Sequence, residues 1–320
     1  MPISQCIEYF LLSLEQMQLS KHTLRAYKQD LTQWQSSIEK KTLDDLSFED
    51  FQMYLIYLQR LELKPASLRR KRVVLHRFLK YCYEKSLTNK QLFNFIDPVK
   101  SKKYKAPKEV LNQQEISHLY TYLDEEIEVA LKKLNHTTYT DFLYYCAIRN
   151  RLIITFLLYT GCRAAEAVSI KKEALNTEQN TLTIIAKGHK YNVLPLHPKL
   201  LEALERYKEQ LCVLKEASFY QSIETNPYLF PSRKTPNNPI SVRTLHDLML
   251  KLSKALERPL HAHLFRHTFA SYCIAANMDI STISSLISHS NPSITLSIYT
   301  HEIESAQKQK EIKKLTFNLD

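Results

Sequence analysis

Six side chains in the second half of the sequence have the types and the order needed to hold a phosphodiester and attack it: Arg163, Lys187, His263, Arg266, His289 and Tyr299. Transfer of a phosphodiester requires neutralised charge on two non-bridging oxygens, an attacking oxygen in line, and a proton for the leaving oxygen. Arg163 and Arg266 are candidates for the oxygen clamp, because a guanidinium donates in a planar fork and keeps its charge at working pH. His289 adds a further donor. Lys187 lies in Ala186-Lys-Gly-His-Lys190, where a hairpin tip would let it reach and protonate a leaving oxygen. His263 stands three residues before Arg266, on the same face if that segment is helical, and is placed to assist proton transfer. Tyr299 follows His289 by ten positions and is read as the nucleophile.

Taken singly, each residue has a plainer reading. An arginine after a helix break more often makes a cap or a salt bridge, here to Glu166, and a tyrosine near a C-terminus usually packs. His261, His263 and His267 invite a metal reading, but no carboxylate or cysteine accompanies them at ligand spacing, so neither a metal nor a cofactor is expected. The conjunction carries the argument, and glycine usage adds to it. The 320 residues contain only two glycines, Gly161 in Thr160-Gly-Cys-Arg163 and Gly188 in Ala186-Lys-Gly188. Glycine is kept where φ is positive or the backbone must be approached closely, and both stand beside a candidate cation.

The elements that must position these groups follow from periodicity. Ile7, Phe10, Leu11 and Leu14 recur at helical spacing between Ile3 and Met17, and Leu24, Tyr27, Leu31, Trp34 and Ile38 form the apolar face of a helix after Ser20. Arg25 and Lys28 project from its other side. Ser47-Phe-Glu-Asp50 reads as a capping box for a third helix, and Pro65 sits near the start of a fourth running to about Lys85. That fourth helix is the most basic element. Arg69, Arg70, Lys71, Arg72, Arg77 and Lys80 surround an apolar seam with no acid between Arg69 and Lys80, which predicts phosphate or groove contact. After the lysine-rich, proline-bounded stretch holding Lys102 and Lys103, helices are predicted over Gln113–Leu134, Tyr139–Thr160, Lys199–Lys215 and Val242–Glu257. Thr181–Ala186 and Tyr191–Leu196 predict a β-hairpin with Gly188 in its turn.

Composition bounds the partner. The formal charge is +11, and residues 1–108 hold 20 Lys+Arg against 11 Asp+Glu, so the polyanion-binding half is the first. Six scattered cysteines without a Cys-x-x-Cys pair predict reduced thiols, and the absence of a long apolar run or a signal-like start predicts a cytoplasmic protein with no membrane partner.

With these residues in hand, the chain is similar to the tyrosine recombinases of the phage integrase family, in layout to the Xer-type and plasmid- or phage-borne members. Thr160-Gly-Cys-Arg-Ala-Ala-Glu166 resembles the first arginine box, with Glu166 in support. Lys187 matches the hairpin lysine, His263-Leu-Phe-Arg-His267 the His-x-x-Arg box, Leu286-Ile-Ser-His289 the Gly-His motif, and Ile298-Tyr-Thr-His301 the nucleophile segment. Ser288 departs from the family by standing where glycine is usual. Thr23–Leu31 and the basic fourth helix resemble the family's core-binding domain. Segments 124–147 and 210–226 look longer than in compact members and are expected to form accessory surfaces.

The resemblance implies a mainly α protein with a small β-sheet: an all-α, SAM-like core-binding domain over residues 1–97, a basic linker over 98–108, and an α+β catalytic domain with a C-terminal tail over 109–320. It implies attack by Tyr299 on a specific double-stranded DNA site to give a 3′-phosphotyrosine and a free 5′-hydroxyl. Four protomers, either identical or shared with a second recombinase, would pass through a Holliday junction, each tail docking on a neighbour. A strand-passing topoisomerase with the same chemistry and a DNA-binding protein that has lost catalysis are the alternatives.

Overall fold

In the computed structural model the described residues are 1–96, 109–186, 190–288, 291–293, 295–296 and 298–299, with backbone alone at 186 and 190. The chain divides into two compact units, Met1–Tyr104 and Lys105–Asp320.

The first unit is helical throughout. Helices α1 (Ile3–Gln16), α2 (Lys21–Ser36), α3 (Phe48–Arg60) and α4 (Pro65–Glu84) precede a 3₁₀ turn at Leu92–Phe95. Their starts are set locally. The Ser20 hydroxyl accepts the Thr23 N–H at 3.2 Å, Asp50 accepts the Ser47 N–H at 2.9 Å, and Pro65 occupies the first turn of α4, where its missing N–H costs nothing. Apolar residues at steps of three and four then face inward. Trp34 stacks on Phe51 at 6.3 Å and meets Phe78 edge-on at 5.8 Å, and truncating any of these buried rings to alanine would cost about 3–5 kcal/mol.

The run of bases on α4 does have an acid partner, supplied by α2. Asp30, 2% exposed, holds Arg70 and Lys71 at 2.8 Å each, and Lys71 itself is buried.

The second unit is built round α6 (Thr138–Thr160), whose buried residues fall on nearly every face. Against it pack α5 (Gln113–Lys132), opened by the reciprocal Asn112–Glu115 box, and α8 (Pro198–Cys212). The short helix α7 (Ala164–Val168) leads into an antiparallel sheet of order β1 (Leu175–Asn176), β2 (Thr181–Ala186), β3 (Lys190–Pro195). Leu182, Ile184 and Leu194 point into the core while Ile185, Tyr191 and Val193 face solvent, the alternation of a one-sided sheet. Helices α9 (Tyr220–Glu224), α10 (Val242–Ala255), α11 (Ala262–Ala275) and α12 (Ile280–Leu286) follow.

Segments 124–147 and 210–226 contribute to the core rather than standing off it as surface additions. Phe219 meets Phe142 and Tyr145 edge-on, each at 6.1 Å, and Leu214, Ala217 and Ile223 are buried in the same cluster. Strand β1 is two residues long and exists through its pairing, Leu175 with Leu182 and Asn176 with Thr181, so no local periodicity announces it.

Candidate active site at two helix ends

The site begins where α6 stops. Gly161 takes φ +58, the left-handed conformation that closes a helix, and its N–H reaches back to the Leu157 carbonyl at 3.2 Å. Its missing side chain matters as much as its φ. A Cβ there would lie 2.5 Å from the Phe269 ring on α11 and 3.2 Å from Ile287 beyond α12, so glycine lets three elements close on one point.

Arg163 caps α7. Its backbone N–H and its Nη1 both donate to the buried Glu166 carboxylate at 2.7 Å, and its Nη2 donates to the Ser288 carbonyl at 3.1 Å. Arg266, on α11 and 3% exposed, donates from Nη1 to the Gly161 carbonyl at 3.0 Å and from Nη2 to the Ile287 carbonyl. Burial, and then the adjacent charge of Arg163, push the Arg266 guanidinium down to about 10, which leaves it charged at neutral pH. Two guanidiniums against one carboxylate give the site a net positive charge, suited to an anion. Five N–H groups per guanidinium leave donors over for it.

Ser288 closes α12 as Gly161 closes α6. Its φ is +52, its N–H returns to the Ser285 carbonyl at 3.0 Å, and its hydroxyl accepts from Asn192 Nδ2 of β3 at 2.8 Å. The departure from glycine therefore keeps a left-handed turn.

Tyr299 is 1% exposed and packs with Ala270, Cys273, Ile274, Ile283 and Ile287. Its hydroxyl lies 2.7 Å from His267 Nδ1, and the His267 ring stacks at 6.0 Å on the more exposed His263 one turn earlier in α11. Burial holds the thiols of Cys162 and Cys273 up at about 11, so neither competes as a nucleophile near neutral pH. His261 serves as the N-cap of α11, its Nδ1 accepting the Leu264 N–H at 3.0 Å; among the described residues no three His, Cys, Asp or Glu side chains are grouped to hold a metal.

The structure thus brings Arg163, Glu166, Gly161 and Arg266 into contact, and sets His263 and Tyr299 around His267. Lys187, Gly188, His289, Lys102 and Lys103 lie outside the described residues. Sequence reasoning misses His267, although it follows Arg266 directly, because its partner Tyr299 lies 32 positions away. It also misses Asn192, whose partner is 96 positions away.

In the first unit Arg25, Lys28, Arg69 and Lys80 are exposed, and Arg72 is half-buried. Arg70 remains at the surface while paired to Asp30, its side chain 45% exposed. Arg77 lies over the Tyr27 ring at 5.8 Å and donates to its hydroxyl at 3.2 Å. Among the described residues no helix is long and apolar enough to cross a membrane.

The model of the phage integrase family matches residues 109–305, and that of the phage integrase N-terminal SAM-like domain matches residues 7–86. The tyrosine recombinase XerC of Staphylococcus aureus (strain MSSA476) is 29% identical over 301 residues, covering 92% of this chain and 91% of that protein. Two solved structures share the fold. The XerH site-specific recombinase bound to its difH substrate in a pre-cleavage complex has a TM-score of 0.65 at 19% identity, covering 90% of this chain and 78% of that one. A lambda integrase tetramer bound to a Holliday junction has a TM-score of 0.63 at 15% identity, covering 91% and 78%.

Proposed function

The chain belongs to the phage integrase family, and from that premise we propose that it is a site-specific DNA recombinase that cleaves and rejoins duplex DNA through a 3′-phosphotyrosine at Tyr299, in integration, resolution or inversion. The observation that carries this reading is the pairing of neighbours on α11: Arg266 spans two helix ends, and His267 bonds the Tyr299 hydroxyl.

In the proposed reaction Arg163 and Arg266 neutralise the non-bridging oxygens, with His289 as a third donor. The Tyr299 oxygen bonds to phosphorus as the bond to the 5′ oxygen breaks, the phenol proton passes to His263, and Lys187 protonates the departing 5′ oxygen to give the 5′-hydroxyl. Attack by a 5′-hydroxyl then reverses each transfer and restores the phenol. The phosphate bond energy stays in the tyrosyl ester, so no nucleotide or metal has to supply it. Because Tyr299 is buried at rest, its segment must leave the apolar cluster to meet DNA, and His267 holds the hydroxyl until then.

Residues 1–97 would grip the backbone through Arg25, Lys28, Arg69, Arg70, Arg72, Arg77 and Lys80, joined by Lys102 and Lys103 of the 98–108 linker, while residues 109–320 carry the chemistry. Lambda integrase is seen as a tetramer on a Holliday junction. We propose four protomers on two duplexes, as a homo-tetramer or with a second recombinase, each C-terminal tail docking in trans. The chain would act in the cytoplasm on plasmid, phage or chromosomal DNA.

The test is a nicked suicide duplex carrying DNA from the gene's own replicon, incubated in EDTA with wild type and Tyr299→Phe and run on a denaturing gel. A protein–DNA adduct with wild type alone is expected. A clear shift in a native gel without any adduct, even with a second recombinase added, would leave a DNA-binding protein and end the catalytic reading.

A further inference from the structure

Among the described residues, three side chains donate hydrogen bonds to the turn after α12, and two of them are the arginine pair. Arg266 holds the Ile287 carbonyl, Arg163 holds the Ser288 carbonyl at 3.1 Å, and Asn192 holds the Ser285 carbonyl and the Ser288 hydroxyl, each at 2.8 Å. Asn192 lies on β3 opposite Ile184, on the strand that leaves the hairpin. It is partly buried, and its amide group ties this sheet to the turn.

Ser288 explains why that link has two parts. A left-handed residue other than glycine costs about 1–2 kcal/mol, and a hydroxyl there accepts a hydrogen bond that a glycine could not. The serine therefore exchanges backbone ease for a tie to β3. Since the Ser288 carbonyl in turn receives Arg163, the position of that guanidinium depends on where Asn192 sets the turn.

We infer that Asn192 is a positioning residue: acting through the Ser288 hydroxyl and the Ser285 carbonyl, it fixes the 285–288 turn and so the orientation of Arg163. This rests on the reading of Arg163 as a phosphate clamp.

The test combines single-turnover cleavage of the suicide duplex at saturating protein with hydrogen exchange of the turn amides, on Asn192→Ala, Ser288→Ala and the double variant. Asn192→Ala is expected to lower the cleavage rate about tenfold and Ser288→Ala about threefold, with DNA affinity within twofold and the melting temperature lowered by only about 2–4 °C per hydrogen bond lost. The double variant is expected to match Asn192→Ala, because losing the amide already removes the one bond that Ser288→Ala breaks. Faster exchange at residues 285–288 in Asn192→Ala is expected in parallel. Four results would overturn the inference: unchanged exchange at residues 285–288 in Asn192→Ala, multiplicative losses of about thirtyfold in the double variant, a loss confined to DNA affinity, or a fall in melting temperature large enough to account for the lost rate. Exchange is read without DNA. If wild type forms no adduct even with a second recombinase added, the recombinase reading falls by itself, and the exchange result is read separately from it.

Discussion

Two helices end side by side at this site, both through a left-handed residue, yet one ends in Gly161 and the other in Ser288. The φ values, +58 and +52, are nearly the same, so backbone conformation does not decide which residue is used. Space does. At Gly161 a Cβ would strike the Phe269 ring at 2.5 Å, whereas at Ser288 the side chain has room and meets Asn192. Arg266 spans the pair, donating to the carbonyl of Gly161 and to that of Ile287, one residue before Ser288. The glycine is there for the approach of α11, and the serine for a bond.

Gly161→Ala should have the largest effect. The left-handed alanine costs about 1 kcal/mol and the overlap with Phe269 another 1–3 kcal/mol, so a loss of about 2–4 kcal/mol in urea unfolding is expected. Adding Phe269→Leu should return the steric part and leave the conformational part. If the double variant is no more stable than Gly161→Ala, space is not what requires the glycine.

Arg266→Lys comes next. An ammonium is a single point of charge where the guanidinium has two separate Nη donors, so the planar fork that would face a phosphate is lost. Cleavage of the suicide duplex should fall about 100-fold, or about 2.7 kcal/mol in the barrier, with native-gel affinity nearly unchanged. A lysine variant that cleaves at the wild-type rate would show that charge alone suffices and that the bridge between the helix ends is incidental.

How much of this was legible in the sequence divides by the range of the interaction. Caps and periodicity lie within four residues, so α1 to α6, α8, α10 and the β2–β3 hairpin could be read from Ser20, Ser47, Pro65 and the spacing of apolar side chains. The glycine pattern pointed to Gly161, and its backbone has both the positive φ and the close approach that such a residue permits. What could not be read depends on partners distant in the chain. Asp30 pairs with Arg70 and Lys71 from 40 and 41 positions away, so a helix that looks wholly unopposed in sequence has an acid beneath it. His267 and Tyr299 are separated by 32 residues. Short elements such as β1 and α9 are fixed by the surfaces they land on. Ser288 was visible as a departure from glycine, but its compensation by Asn192 was not.

That compensation gives the smallest effect and the sharpest form of the comparison. Ser288→Gly removes a conformational cost of about 1 kcal/mol and, with it, a hydrogen bond contributing about 1 kcal/mol, so stability should stay within about 0.5 kcal/mol of wild type. In an Asn192→Ala background the bond is already gone while the cost remains. There the same change to glycine should stabilise by about 1 kcal/mol, which for a unit of this size raises the melting temperature by about 2–4 °C. An equal gain in both backgrounds would mean that the hydroxyl contributes nothing. An equal loss in both would mean that the serine is preferred for a reason other than Asn192, and the contrast with Gly161 would then have to be drawn from the surrounding packing alone.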